Sequence, residues 1–279
     1  MKTEIISLRT LRLCGEEYFM IKQKTGVVLE SLRLRIKDGI KTASTLGFKG
    51  VQIDATQRDI TPENLSHTGR RELRRVIDLN RLELCALGGE LGIGFINENE
   101  FDFLINRIKA IINLALDLQT NIVTVQIGSM PTETDSTHWH AVNTALGEIG
   151  RHAENYGCRL AAKISFDNYS TLKDFLKSLY TEGVRIIYDP ASLMINNLDP
   201  IKGIHELHKY IVHTNLWDTR QTEEGRNIEV PIGEGIIPAE EFVSTLESTG
   251  YYGFYVINSK TMQQPVENIK KGKEFLDRF

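Results

Sequence analysis

Residues 157–189 read GCRLAAKISFDNYSTLKDFLKSLYTEGVRIIYD, and the order of their parts decides the fold. Cys158 to Ile164 is a short β-rich run, 168 to 181 has the amphipathic period of a helix, and Val184 to Tyr188 is a second β-rich run. Gly157 and Gly183 stand where the helices before each run should stop. Strand, helix and strand in that order make a parallel unit with a helical crossover.

The unit repeats in both directions from there. The expected strands are Gly26 to Glu30, Gly50 to Asp54, Leu82 to Leu87, Asn121 to Ile127, Cys158 to Ile164, Val184 to Tyr188, Tyr210 to Leu216 and Gly253 to Asn258. Helices are expected over 36–46, 61–79, 99–118, 135–156, 168–181, 199–208, 238–249 and 265–277, with Thr61-Pro62, Pro238 and Pro265 as starts. Eight β/α rounds close naturally into an α/β (β/α)8 TIM barrel over 26–279, a doubly wound open sheet being the alternative. Residues 1–25 break the rhythm. Glu4 to Leu13 and Tyr18 to Gln23 read as strands joined by a turn at Cys14-Gly15-Glu16-Glu17, an appended hairpin.

Strand side chains alternate, so the helix-facing positions fix the inward ones. Leu160, Ala162 and Ile164 facing out leave Ala161 and Lys163 inside. The same parity turns Gln52, Asp54, Thr124, Gln126, Asp189, His213, Asn215 and Asn258 inward. A barrel core is dominated by branched apolar residues, and a buried unpaired polar group costs about 1–3 kcal/mol. So many polar groups near strand C-termini predict a wet, ligand-facing mouth.

Composition agrees with a globular protein: 279 residues, 41% hydrophobic, 25% charged, and 33 Lys+Arg against 37 Asp+Glu for a formal charge of -4. Cys14, Cys85 and Cys158 are odd in number and far apart, which suits a reducing compartment better than a disulfide framework. Charges interrupt Met1 to Leu13, and no run of about 18 apolar residues occurs, so neither secretion nor a membrane span is expected. A pI of about 6.0 argues against nucleic acid. A cytoplasmic location is expected.

Several stretches resemble the xylose-isomerase-like sugar and sugar-phosphate isomerase/epimerase superfamily. They are Leu46-Gly47-Phe48-Lys49-Gly50-Val51-Gln52-Ile53-Asp54, Tyr188-Asp189-Pro190-Ala191-Ser192-Leu193, Ile211-Val212-His213-Thr214-Asn215-Leu216-Trp217-Asp218, Val230-Pro231-Ile232-Gly233-Glu234-Gly235 and Gly250-Tyr251-Tyr252-Gly253. The resemblance implies a TIM barrel whose active members hold a divalent metal with Glu, Asp, His and Glu at the ends of strands five to eight. Here those positions are Lys163, Asp189, Asn215 and Asn258, and Asp189 alone keeps the family identity. A dication facing Lys163 meets strong repulsion, since a unit pair at about 4 Å is worth about 4 kcal/mol in an effective dielectric near 20. No metal or other cofactor is therefore expected. The two glutamates that move protons in the family's isomerases and epimerases are also absent.

The expected function is binding of a sugar, sugar phosphate or polyol by a degenerate isomerase or epimerase. Contacts are expected from Asp54, Gln126, Asp189, Asn215, Trp217, Asp218, Arg220 and Asn258. Gln126, His213 and Trp217 should share one pocket. Lys163 should fill the cation's place, held by Asp189 and the side-chain oxygens of Asn215 and Asn258. A second reading is a metal-independent isomerase, epimerase or lyase with Lys163 as base and His213 or Glu90 as its partner. A third is a scaffold joined to another subunit through the N-terminal hairpin, and homo-oligomerisation stays open. Gly88 to Gly94 reads as a lid or a phosphate cradle around Glu90. His138-Trp139-His140 could stack on a sugar, Arg226 could clamp an anion beside Arg220, and His205 and His208 read as surface residues.

Overall fold

The β-rich runs pair in parallel around a common axis. The computed structural model describes residues 24–56, 59–130, 133, 136–261 and 263–279, with the backbone of 12–13 and 16–17. The barrel strands are β1 Lys24–Val28, β2 Gly50–Asp54, β3 Glu83–Gly88, β4 Ile122–Ser129, β5 Arg159–Ser165, β6 Val184–Tyr188, β7 Ile211–Thr214 and β8 Phe254–Ile257. Each pairs in parallel with the next in sequence up to β7, and β8 pairs with β1. The last seam closes just past β7, where Leu216 bridges Ile257, the Leu216 N–H donates to the Val256 carbonyl at 2.7 Å and the Asn258 N–H to the Leu216 carbonyl at 2.8 Å. Below that bridge the Thr214 hydroxyl stands in for a ladder group, donating to Phe254 O at 2.9 Å and accepting from Val256 N at 3.2 Å. This closure excludes the open doubly wound sheet.

The helices are α1 Ile36–Thr45, α2 His67–Leu79, α3 Phe101–Asp117, α4 Thr137–Asn155, α5 Tyr169–Ser178, α6 Pro190–Ile195, α7 Pro200–Leu207, α8 Ala239–Ser248 and α9 Pro265–Leu276. The second helix starts later than Thr61-Pro62 predicts. Thr61 holds a single turn through Leu65 N to its carbonyl and Asn64 N to its hydroxyl, and Ser66 then caps the helix by accepting from Gly69 N at 3.2 Å. The short α6 was not expected, nor was the antiparallel ribbon of Asp218–Gln221 with Asn227–Val230 that follows β7.

Of the N-terminal hairpin, an antiparallel ladder pairs Arg12 with Glu17 and Leu13 with Glu16, so Glu16 and Glu17 lie in a strand where a turn was expected. The remainder of that expectation lies outside the described residues.

Apolar burial follows the strand parity. Leu160 and Ala162 are fully buried on the helix-facing side, and Ala161 is buried in the lumen. One extra residue enters the ladder at Cys85, at Ile127 and at Val212. Such bulges bend a strand and re-aim its last side chains. The one at Val212 sets His213 beside Ile187 and so keeps His213 on the inner face.

Candidate functional site

Inside the lumen three polar side chains close on one another. The Gln52 Oε1 meets His213 Nε2 at 2.8 Å, Gln52 Nε2 donates to Thr124 Oγ1 at 3.4 Å, and Thr124 Oγ1 reaches the Leu87 carbonyl at 3.5 Å. An amide oxygen only accepts, so Nε2 of His213 carries the proton. Burial pulls the His213 pKa down to about 4, and the ring is 2% exposed and neutral. His213 faces inward as parity predicts. Gln126 is exposed in the C-terminal half of β4, and Trp217 is half-buried with its indole N–H on Asp189. No hydrogen bond joins these three residues among those described.

Asp189 organises the opposite part of the mouth. It ends β6 and caps α6, accepting from the Ser192 N–H at 2.9 Å, with Pro190 in the first turn where no N–H is needed. The Trp217 indole N–H donates to both carboxylate oxygens at 2.9 and 3.1 Å, Asn215 Nδ2 donates to Oδ2 at 2.8 Å, and Lys163 Nζ approaches Oδ2 at 3.4 Å. Lys163 and Asp189 meet as expected, but the two amides do not hold the ammonium. Beside a carboxylate, an amide turns its NH2 toward the stronger acceptor, and Asn215 does so. Asn258 Oδ1 instead accepts from the Ser31 hydroxyl at 3.2 Å. The Lys163 side chain is 35% exposed, against 7% for that of Asp189.

Facing Lys163 is an acidic arc on the first three strand ends. Glu30, just past β1, accepts from the Asp54 N–H at 3.1 Å. Asp54 folds onto its own turn, accepting from Thr56 N at 2.8 Å and Thr56 Oγ1 at 2.6 Å. Burial, reinforced by the Asp54 charge, raises the Glu90 carboxyl above its usual range, against a Thr124 hydrogen bond and the Lys163 charge. Burial likewise raises Glu30, with the charges of Asp54 and Glu90 adding to it. Gly88 lets Glu90 approach, since a Cβ there would lie 3.2 Å from Glu90 Oε2. Glu30 is not among the residues expected at the site from the sequence. Its signal was its place at the C-terminal end of the first expected strand.

Residues 40–279 match the family described as Xylose isomerase-like TIM barrel. The chain belongs to that family. Among solved structures it is similar to a xylose isomerase domain protein from Planctomyces limnophilus, with TM-score 0.78, 17% identity, and coverage of 91% of this chain and 95% of that one. It is also similar to the probable 3-DHS dehydratase AsbF from Bacillus anthracis, with TM-score 0.73, 17% identity and coverage of 91% and 98%. A D-tagatose 3-epimerase-like protein gives TM-score 0.73 at 20% identity, covering 92% of this chain and 98% of that one. At such identities the likeness shows the fold. A comparison with curated proteins gave no match.

The family resemblance brings with it a divalent metal, and the donor set here does not fit one. Hard cations need several oxygen ligands with compensating negative charge. Of the four positions, one holds an ammonium, two hold neutral amides, and the single carboxylate already takes four donors. Among the described residues no group of three or more His, Cys, Asp or Glu is spaced to hold a metal ion.

The remaining candidates lie around this xylose isomerase-like barrel as follows. Asp218 is fully buried and accepts from the backbone N–H groups of Thr219, Gly233, Gly235 and Ile237 at 2.8–3.2 Å, so its carboxylate is spent on a loop. Arg220 is exposed on the ribbon opposite Ile228, and Arg226 pairs with Glu224 at 3.5 Å. His138 lies 3.5 Å from Glu98, and Trp139 packs edge-on against His140 and Phe175. The glycine-rich stretch is tied to β4 at both ends, by Gly89 N to Thr124 O at 2.7 Å and Phe95 N to Ile127 O at 2.8 Å. His208 Nδ1 faces the His205 carbonyl at 3.3 Å in the turn between α7 and β7.

Proposed function

We propose that the chain binds a sugar, sugar phosphate or polyol at the C-terminal mouth of the barrel and does so without a divalent metal. The observation that carries this reading is the filled carboxylate of Asp189, with the Lys163 ammonium at 3.4 Å beside it. The likeness to the D-tagatose 3-epimerase-like protein supports the ligand class. Polyols are held by paired donors and acceptors beside a stacking surface. Lys163 and the exposed Gln126 offer donors, Glu30, Asp54 and Glu90 offer acceptors, and the Trp217 ring offers the surface. We place the protein in the cytoplasm, where the buried thiols of Cys85 and Cys158 stay reduced.

Titration calorimetry with ketoses, sugar phosphates and polyols, in chelator and again with Mg or Mn, tests the reading. The expected result is binding of equal affinity in both. Binding that needs the metal overturns it.

A metal-independent enzyme is the second reading, favoured by the raised carboxyl of Glu90 within reach of the Lys163 charge. Of the two partners expected for Lys163, Glu90 suits proton transfer better than His213, whose neutral ring is bonded to Gln52. Turnover lost in both Glu90→Gln and Lys163→Met would support that reading, and solvent deuterium entering a bound sugar would show the proton transfer directly.

A further inference from the structure

At the end of the barrel opposite the mouth, the strand N-termini surround an open recess of about 310 Å³. Its lining includes Asn121 and Ile122 at the start of β4, Arg159 at the start of β5, His208 in the turn before β7, Ile211 at the start of β7, and Tyr252 before β8. In the sheet β6 separates β5 from β7. Residues from both sides of it therefore meet across the barrel axis rather than along the outer wall.

Arg159 shares the parity of Ala161 and Lys163, so its side chain leaves the inner face. Arg185 shares that face as the register partner of Ala161. Two guanidiniums thus stand at the floor, and they are served differently. Arg185 is ion-paired with Glu182, donates to the Val184 carbonyl at 2.9 Å and lies 5.7 Å from the Tyr210 ring centre. Arg159 makes one hydrogen bond among the described residues, from Nη1 to the Cys158 carbonyl at 3.1 Å, and no ion pair. The described lining of the recess contains no Asp or Glu. Burial, and after it the Arg159 charge, lowers the pKa of Arg185, against the charges of Tyr210 and Glu154.

We propose that this floor recess binds an oxyanion, the phosphate or carboxylate group of a small molecule, on the guanidinium of Arg159. A guanidinium keeps its charge at all working pH values and offers five N–H donors in a planar fork, of which Arg159 uses one on the protein. Two parallel N–H bonds to an oxyanion match that fork. Asn121 and His208 add polar groups beside it, and the Tyr252 ring, 77% exposed, walls one edge. This site lies at the other end of the barrel from the mouth and does not depend on how the mouth is read.

The test is a titration with inorganic phosphate, and in parallel with acetate, at constant ionic strength, followed by amide NMR. Saturable shifts are expected at Asn121, Thr249, Gly250 and Gly253, and Arg159→Met should weaken that binding at least tenfold. Which probe saturates first tells a phosphate site from a carboxylate site. Shifts confined to mouth amides such as Glu90 and Gln126, shifts that survive Arg159→Met, or no saturation at the floor with either probe would each overturn the proposal. Should Arg159→Met fail to fold, Arg159→Lys keeps the charge and removes the fork. Binding unchanged in that variant also overturns it.

Discussion

Asp189 and Lys163 form one ion pair, yet the fold depends on them unequally. Removing the Asp189 carboxylate strands the Ser192 N–H, the Trp217 indole and the Asn215 amide, in a place where the side chain is 7% exposed. Asp189→Ala should therefore cost about 3–5 kcal/mol in urea unfolding. Lys163 reaches solvent and makes one long contact, so Lys163→Met should cost no more than about 1 kcal/mol. Equal losses in the two variants would show that the pair is far less solvated than its exposure implies. Replacing Lys163→Glu, Asn215→His and Asn258→Glu together should turn the same strand ends into a hard-cation shell and give Mg or Mn affinity measurable by calorimetry, absent from the parent. Much of this cluster was legible from alternation alone, which turned Lys163, Asp189 and Asn215 to one face. The direction of the Asn215 amide was not legible, because it depends on which neighbour accepts most strongly. The bonding of Asp218 was not legible for a related reason: a carboxylate following a strand at the mouth invites a ligand, and only the path of the 231–237 loop brings backbone N–H groups to it.

That loop also sets a prediction at the level of elements. Asp218 binds the ribbon to the segment before α8 through Gly233, Gly235 and Ile237, and a Cβ at Gly235 would lie 2.1 Å from Asp218 Oδ1. Asp218→Asn places an NH2 among donors and should cost about 2–3 kcal/mol while opening 231–237 to limited proteolysis. A loop as resistant as the parent's would mean that packing of Ile232 and Ile237, rather than the carboxylate, holds it. The strands were readable because each is a short β-rich run alternating with a stretch of helical period, and β2 and β6 begin and end where the sequence places them. The start of α2 was not, since Thr61 and Ser66 are both competent caps five residues apart and local chemistry alone does not rank them. The bulges at Cys85, Ile127 and Val212 were invisible too, because an extra residue in a ladder is decided by the neighbouring strand's register.

For the whole barrel, the polar lumen ties stability to acidity. His213 has an unfolded pKa of about 6.5, and burial beside Gln52 brings the folded value to about 4. Between those values the unfolded chain binds the proton and the folded chain does not, so stability falls as pH drops from about 6.5 toward 4. The full loss is of order 3 kcal/mol, since each pKa unit is worth about 1.4 kcal/mol. Glu30 and Glu90 act with the opposite sign: their raised folded pKa values favour the folded state at acid pH, and that contribution is lost as pH rises through them. A bare stability profile mixes the two, whereas the difference between the parent and His213→Gln isolates the histidine. The parent's advantage over the variant should shrink by about 3 kcal/mol between pH 7 and pH 4 in urea unfolding, and the imidazole signals should titrate near 4. A pH-independent difference, or an imidazole titrating near 6.5, would mean that water reaches the Gln52–His213 pair and that the lumen is wet below the mouth.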